Sequence, residues 1–358
     1  MAFKIIYITN GSFFITAICK YQSHFNNMEI KLKKYLLLFI GVLFSSFSFS
    51  ATPILKFNKQ GKFKIVQFTD VHYIYNDPKS DEAITTMNVV LSTENPDFIV
   101  FTGDLIFGKP AKESLETVLN QVLKYKIPFA VTFGNHDNEQ GLSNDELYDI
   151  VKLNPCNIMP NYRLQPDYVL SVKTNDSKKD AALLYCLESH SYSKIKEVDS
   201  YYAWFTFGQV NWYLNKSLNY TKQNNNDPVP ALAFFHIPLP EYRLVASDDE
   251  SILFGTRMEK VCSPKINTGM FAAMRVSGDV MGVFVGHDHD NDFAAMHQGI
   301  MLAYGRYSGG NTVYHNLSNG ARVIELNEKS RSFQTWIRLG NGEVVNPINY
   351  PKSFQKNN

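Results

Sequence analysis

The sequence has few cysteines and no excess of charge of either sign. Only 4 of its 358 residues are cysteine, and none lies in the short paired spacing of a thiolate metal site. Two of Cys156, Cys186 and Cys262 could form one disulfide, and the sequence does not indicate which two. The 35 basic residues almost balance the 34 acidic ones, without a run of five basic residues. This composition argues against a structural zinc site made of thiolates, and no nucleic acid binding is suggested.

Long apolar runs are also missing, which bears on export. The apolar run Tyr35–Phe44 is too short to cross a bilayer, so we expect no stable membrane span in the mature chain. A positive region that begins at Met28 precedes this run and small residues follow it, as in a secretory signal. We therefore expect an N-terminal extension at residues 1–27, a signal peptide at 28–50, and a secreted or periplasmic protein. The alternative to a signal peptide is an N-terminal membrane anchor. The sequence does not decide whether Met1 or Met28 is the initiator.

The mature chain alternates strand-like and helix-like patterns, without an internal repeat or a long linker. Apolar residues at helical spacing over 80–93 and 111–125 separate the first three apolar runs. This indicates repeated βαβ units and a largely parallel, buried sheet. Short alternating runs after Gly299 indicate additional antiparallel strands. We expect a single domain at residues 51–345 and a C-terminal tail at 346–358.

Five apolar runs are each followed at once by residues that can bind metals. The runs predicted as buried strands are Lys64–Thr69, Asp97–Thr102, Pro128–Phe133, Ala231–Phe235 and Met281–Val285. The segments that follow them are Asp70-Val71-His72, Gly103-Asp104, Gly134-Asn135-His136-Asp137, His236-Ile237-Pro238 and Gly286-His287-Asp288-His289. Because ligands bind at the carboxyl ends of strands in open α/β sheets, we expect these segments to share one pocket.

The chemistry of these donors indicates one site for two metals. Four imidazoles, two carboxylates and one amide are enough for two metal ions with a bridging ligand. Oxygen and nitrogen donors without thiolate suit manganese, iron, zinc or nickel. The aromatic run Tyr201–Phe205 is interpreted as buried packing, with a pocket wall as the alternative.

In this order, the segments resemble the motifs of the calcineurin-like metallophosphoesterase superfamily. The longer strings 234–242 and 284–293 are similar to a narrower branch, the purple-acid-phosphatase-related phosphohydrolases. The resemblance extends from about Lys64 to Leu326. It implies an α/β fold: a metallophosphoesterase-type β-sandwich of two mixed sheets flanked by helices, with the metal site on strand-end loops.

The resemblance also implies roles for single residues. Seven would be ligands: Asp70, His72 and His289 of the first metal, Asn135, His236 and His287 of the second, and Asp104 as the bridge. His136 would face the substrate phosphate and protonate the leaving group, and Asp137 would orient His136. The purple enzymes have a tyrosine where this chain has Phe107. Because phenylalanine supplies no phenolate, we expect no purple charge-transfer colour, and His72 would take that coordination place.

The activity implied by the resemblance is that of an exported hydrolase of phosphoric esters that acts on a small molecule. Two divalent cations would clamp the phosphate, a hydroxide bridging them would attack phosphorus, and His136 would protonate the leaving oxygen. Two alternatives stay open. One is a phosphodiesterase acting on nucleotide or lipid head-group diesters, and the other is an extracellular binding module that keeps its metals only for structure. The substrate, the metals and the oligomeric state also stay open.

Overall fold

The computed structural model describes residues 53–248, 250–312 and 317–355. The predicted extension and signal peptide lie outside the described residues. Within the described part of the chain, no helix is long and apolar enough to cross a membrane. Cys156, Cys186 and Cys262 form no disulfide.

Sheet I contains the first three predicted strands. Its six strands lie in the order β13-β12-β11-β1-β2-β3. Their bounds are β1 Lys62–Phe68, β2 Phe98–Thr102, β3 Phe129–Thr132, β11 Gly320–Asn327, β12 Phe333–Leu339 and β13 Val344–Tyr350. Strands β1, β2 and β3 are parallel, whereas β11, β12 and β13 add antiparallel pairs.

Sheet II contains the other two predicted strands. Its seven strands lie in the order β4-β5-β6-β8-β10-β9-β7. Their bounds are β4 Tyr168–Lys173, β5 Asp180–Cys186, β6 Ala231–Phe234, β7 Leu253–Phe254, β8 Val280–Val285, β9 Ala294–His297 and β10 Ile300–Tyr304. The central strands are parallel and the outer ones antiparallel. The expected pair of mixed sheets is thus confirmed.

Six α-helices of the described residues flank the sheets. They are α1 Asp81–Glu94, α2 Ala111–Tyr125, α3 Asn144–Val151, α4 Phe207–Gln223, α5 Glu241–Ser247 and α6 Met270–Ser277. Helix α3 begins at a capping box in which Ser143 and Glu146 each accept the other's backbone N–H. Helix α1 ends because Asn95 takes a left-handed conformation and Pro96 cannot continue the helix.

Alternation along the strands divides the apolar residues between two cores. In β6, Leu232 and Phe234 enter the core shared by both sheets, whereas Ala231 and Ala233 enter the core beneath the helices of sheet II. This follows from the two-residue period of a strand, which turns successive side chains to opposite faces. The described part of the chain from Pro53 onward is therefore a sandwich of two sheets with helices outside.

The domain boundary predicted at residue 345 falls within strand β13. Residues 348–350 pair with residues 333–335 of β12, so this part of the chain belongs to sheet I. Apolar alternation does not reveal this strand because only Ile348 is buried in it and Pro347 interrupts it. An edge strand tolerates proline because half of its backbone groups have no strand partner.

Candidate metal centre

The predicted ligands meet where the ends of the two sheets face each other. Asp70 and Asp104 follow strands of sheet I, and His236 and His287 follow strands of sheet II. The backbone N–H of His287 donates to both oxygens of the Asp70 carboxylate, at 3.1 and 3.0 Å. Gln67 also spans the sheets, since its Nε2 donates to the carbonyl of Val285 at 3.0 Å. The five strand ends thus form one site.

Four of these donors have a left-handed backbone. The φ angles are 50° at Asp70, 46° at His72, 52° at Asp104 and 80° at His287. Residues with a Cβ rarely adopt this conformation, and it persists only where the surroundings impose it. The left-handed conformation at these four residues directs the side chains toward one common site.

The motif glycines allow the strand-end loops to approach closely. A Cβ at Gly134 would lie 2.7 Å from the carboxyl carbon of Asp104, and a Cβ at Gly286 would lie 2.8 Å from Oδ2 of Asp70. Both distances are shorter than any ordinary carbon contact. Glycine is therefore required at these two positions if the carboxylates are to keep their places.

The first group of ligands consists of Asp70, His72 and His289, which are all buried. One donor atom from each lies within 4.8 Å of the other two. Nδ1 of His289 bonds to the carbonyl of Thr312 at 2.9 Å, and its Nε2 lies 3.5 Å from Oδ1 of Asp70. Neither ring nitrogen of His72 has a hydrogen-bond partner among the described residues. The structure brings together the set expected for the first metal.

The second group consists of Asp70, Asp104 and His236, again within 4.8 Å of one another. Nδ1 of His236 bonds to the carbonyl of Thr102 at 2.8 Å, which turns Nε2 to within 3.1 Å of Oδ2 of Asp104. The same Oδ2 lies 3.4 Å from Nε2 of His72. Oδ2 of Asp104 thus faces one histidine of each group, as a bridging carboxylate would, and Asp70 belongs to both groups.

Asn135 and His287 lie beside the second group. Oδ1 of Asn135 is buried and has no hydrogen-bond partner within the described chain, while its Nδ2 donates to the hydroxyl of Tyr192 at 3.1 Å. The ring of His287 is 5.3 Å from that of His236, and its Nδ1 lies 2.8 Å from Oδ1 of Asp288. That contact leaves Nε2 of His287 available for a ligand.

Charge on the buried groups is balanced within the cluster. Burial opposes ionisation of Asp104, but the imidazoles of His236 and His72 hold the pKa of its carboxyl well below the ordinary value. Burial likewise opposes charge on His236 and His289, yet Asp104 raises the pKa of His236 to about 10 and Asp70 raises that of His289 to about 9. Burial lowers the pKa of His72 to about 4. Two imidazolium groups therefore neutralise two carboxylates when no cation is bound.

These residues fit a pair of metal ions. Among the described residues, the buried amide oxygen of Asn135 and three buried ring nitrogens, of His72 and His236, have no hydrogen-bond partner, which is costly unless something binds them. Carboxylate, amide and neutral imidazole are donors for manganese, iron, zinc or nickel. No cysteine of the described residues belongs to either ligand group. In His236, His287 and His289 the Nδ1 atom is bonded to a carbonyl or a carboxylate, which is typical of metal-binding imidazoles.

His136 lies at the edge of the cluster and belongs to neither ligand group. Its side chain is 30% exposed, and its ring packs against Phe107 with centroids 5.0 Å apart. Nδ1 of His136 is 2.6 Å from Oε2 of Glu139. Phe107 also packs against His72, at 4.8 Å, so it fills the space between these two histidines.

Asp137 was predicted to orient His136, and among the described residues no hydrogen bond joins the two side chains. The Asp137 carboxylate is buried and accepts backbone N–H groups of Asp104 at 2.9 Å, Leu105 at 2.7 Å and Gly134 at 2.8 Å. Asp137 begins a 3₁₀ helix, from which its side chain points back beneath the loops that carry the ligands. Burial and the nearby charge of Asp104 raise the pKa of Asp137 to about 7.

Sequence reasoning missed Glu139 and Tyr192. Glu139 is three residues after His136, a spacing that brings side chains together on a helical turn, so the sequence did contain a signal for it. Tyr192 lies in an irregular segment, where no periodicity indicates its contact with Asn135. The aromatic run is only partly buried, because Phe205 packs in the core whereas Tyr201 is 71% exposed.

A family model and several relatives match more than half of this chain. Residues 63–291 match the family described as calcineurin-like phosphoesterase. An Arabidopsis thaliana protein named "Probable inactive purple acid phosphatase 29" is 33% identical over 337 residues, covering 80% of this chain and 84% of its own. Phosphatase DCR2 of Saccharomyces cerevisiae is 32% identical over 325 residues, covering 78% of this chain and 54% of its own.

Solved structures share the fold at low sequence identity. A dimetal phosphatase from Danio rerio superposes with a TM-score of 0.55 and 14% identity, covering 80% of this chain and 98% of its own. The purple acid phosphatase PPD1 from yellow lupin superposes with a TM-score of 0.51 and 13% identity, covering 84% of this chain and 55% of its own.

Proposed function

Because the chain belongs to the calcineurin-like phosphoesterase family, we propose that it hydrolyses a small-molecule phosphate ester with the help of two divalent cations. The observation that carries this proposal is the position of His136. Its partly exposed imidazole lies beside the buried donors, with its ring centroid 5.6 Å from that of His72 and its Nδ1 2.6 Å from Oε2 of Glu139. This is the arrangement that a general acid requires.

The two cations would be held by the residues already described. Asp70, His72 and His289 would hold one, and Asn135, His236 and His287 the other, with Asp104 shared between them. When bound, such cations neutralise phosphate oxygens and lower the pKa of a water molecule. Phe107 cannot act as a phenolate ligand, so a ferric charge-transfer centre is not part of the proposal.

His136 would deliver the proton that the leaving oxygen needs. The Glu139 carboxylate lies 2.6 Å from Nδ1 of His136 and would accept Nδ1–H, which would leave Nε2–H to face the substrate. Glu139 therefore takes the orienting role that the sequence analysis gives to Asp137. Asp137 instead holds the backbone on either side of Asp104 and at Gly134.

Export remains part of the proposal. The positive region from Met28 and the apolar run Tyr35–Phe44 support a signal peptide. Secretion into the periplasm or the medium would expose the enzyme to phosphate esters outside the cell. Detecting the chain in a periplasmic fraction, with a mature N-terminus near Ala51, is the measurement that tests this.

A metal-containing binding module is the second candidate. Three relatives are named as probable inactive purple acid phosphatases, and this favours a non-catalytic role. The test is hydrolysis of p-nitrophenyl phosphate and bis-p-nitrophenyl phosphate by protein loaded with manganese, zinc or iron. Turnover of the first supports a monoesterase, and preference for the second supports the phosphodiesterase alternative. No turnover of either at full metal content refutes the enzymatic proposal.

A further inference from the structure

Three tyrosines beside the metal centre take no part in the proposed mechanism. The rings of Tyr192, Tyr201 and Tyr202 contact one another, with centroids 4.9 to 5.9 Å apart, and we name them the tyrosine cluster. A group of three rings at an active-site edge is large enough to bind part of a ligand.

The tyrosine cluster touches residues of the proposed site directly. The Tyr192 hydroxyl accepts Nδ2–H of Asn135 at 3.1 Å. The ring of Tyr202 packs edge-on against His287, with centroids 4.6 Å apart. Glu139, the partner of His136, also interacts with Tyr192. A ligand that stacks on the tyrosine cluster would therefore contact rings that themselves touch Asn135, His287 and Glu139, the partner of His136.

The outermost ring is exposed but its backbone is fixed. Tyr201 is 71% exposed. Its carbonyl accepts the N–H of Ser193 at 2.9 Å, and the N–H of Ala203 donates to Ser191 at 3.0 Å. Tyr192 and Tyr202 form an antiparallel bridge between these bonds. An aromatic surface fixed in this way loses little conformational freedom when it binds a ligand.

The neighbouring cavity cannot accept a leaving group. It is lined by Ala203, Trp204, Ile237 and Pro238, among others, and has a volume of about 10 Å³. Such a space holds about one water molecule at most. The exposed ring of Tyr201 offers a contact surface that this cavity does not.

We propose that the tyrosine cluster is a subsite for a planar aromatic leaving group, with Tyr201 as the stacking surface. The inference rests on the proposed phosphoesterase activity and narrows its substrate class. Aromatic rings bind tyrosine through stacked or edge contacts, whereas a sugar or an aliphatic alcohol gains less there. A nucleobase and an aryl alcohol share this chemistry. Binding energy from this remote part of the substrate also contributes to orienting the phosphate.

The test compares the effect of Tyr201→Ala on two matched pairs of substrates. AMP and ribose 5-phosphate differ by a base, and phosphotyrosine and phosphoserine differ by a ring. Because each substrate is compared only with itself in native and variant protein, differences in leaving-group reactivity cancel. We expect kcat/KM to fall about tenfold for an aromatic substrate and to change less than about twofold for its partner.

Two further variants serve as controls. Tyr201→Phe retains the ring and should restore kcat/KM. Phe207→Ala removes another exposed aromatic ring, 76% exposed at the start of α4, and should alter none of the four substrates. Loss confined to AMP identifies a nucleobase and loss confined to phosphotyrosine an aryl group. An equal loss for all four substrates, or no loss for any, overturns the subsite.

A binding measurement separates this proposal from the proposed activity. Saturation-transfer NMR on the native protein without metal should show contact with the ring protons of adenosine or N-acetyltyrosine amide. We expect the signal to vanish in Tyr201→Ala and to persist in Tyr201→Phe. A native protein that hydrolyses none of the four esters but gives this signal keeps the subsite and refutes the activity. No transfer to either probe overturns the subsite itself.

Discussion

The Asp137 carboxylate supports the loops that carry the ligands, and replacing it with asparagine tests that role. Its Oδ2 accepts the N–H groups of Asp104 and Gly134, at 2.9 and 2.8 Å. Its Oδ1 accepts those of Leu105 and Ile106, at 2.7 and 3.2 Å. Asparagine keeps one acceptor oxygen and turns an NH₂ group toward the other two donors. Two buried N–H groups are then left without an acceptor.

The size of the effect follows from those two groups. A buried donor without a partner costs about 1–3 kcal/mol. Asp137→Asn should therefore lower the free energy of unfolding of the metal-free protein by about 2–6 kcal/mol. Because the carboxylate of Asp104 lies 3.1 Å from Nε2 of His236, movement of its backbone should also weaken metal binding.

Denaturant unfolding in the presence of a chelator measures the first effect, and metal analysis by mass spectrometry measures the second. Glu139→Gln is the matched control, because it also removes a carboxylate charge but at a partly exposed position. It should leave stability and metal content unchanged. Native stability and native metal content in Asp137→Asn, together with reduced turnover, would refute this reasoning and return Asp137 to the role of orienting His136.

Three other predictions follow from contacts at the site. Glu139→Gln should lower kcat about tenfold because the charge-assisted bond to Nδ1 of His136 is weakened, and an unchanged kcat in steady-state assays would contradict this. Metal loading at pH 7 should release about two protons per chain, since His236 and His289 have pKa values of about 10 and 9 without metal. Metal binding should accordingly strengthen as the pH rises toward those pKa values. If the calorimetric enthalpy of metal binding does not depend on the ionisation enthalpy of the buffer, no protons are released and the prediction fails. Gly286→Ala should reduce metal content in mass spectrometry, because the added Cβ would lie 2.8 Å from Oδ2 of Asp70, and full metal content would show that the loop can yield.

Most of the site could be predicted because its donors directly follow continuous apolar strands. The five predicted strands agree with the structure to within two residues, and helix α2 has the predicted bounds. In buried strands both faces are apolar, so the change to polar residues marks the strand end sharply. The division of the donors between two metals came from the family resemblance, and the structure brings Asp70, His72 and His289 together as that resemblance implies.

Contacts between irregular segments could not be predicted. The sequence indicates that strand ends meet, but not that Asp70 of sheet I and His287 of sheet II meet across two sheets. The carboxylates of Asp137 and Glu139 are two residues apart, and only the direction of each side chain decides which one reaches His136. Such directions depend on packing between loops, for which periodicity gives no information.

Parallel measurement of turnover and metal content in native protein and His136→Ala tests the central claim most directly. With p-nitrophenyl phosphate as substrate, we predict that the native protein is active. In His136→Ala, kcat should fall by about 10²- to 10⁴-fold while both metal ions stay bound, because the ring supplies a proton and no metal bond. Loss of metal in His136→Ala, or unchanged turnover with full metal content, would contradict the proposed role of His136.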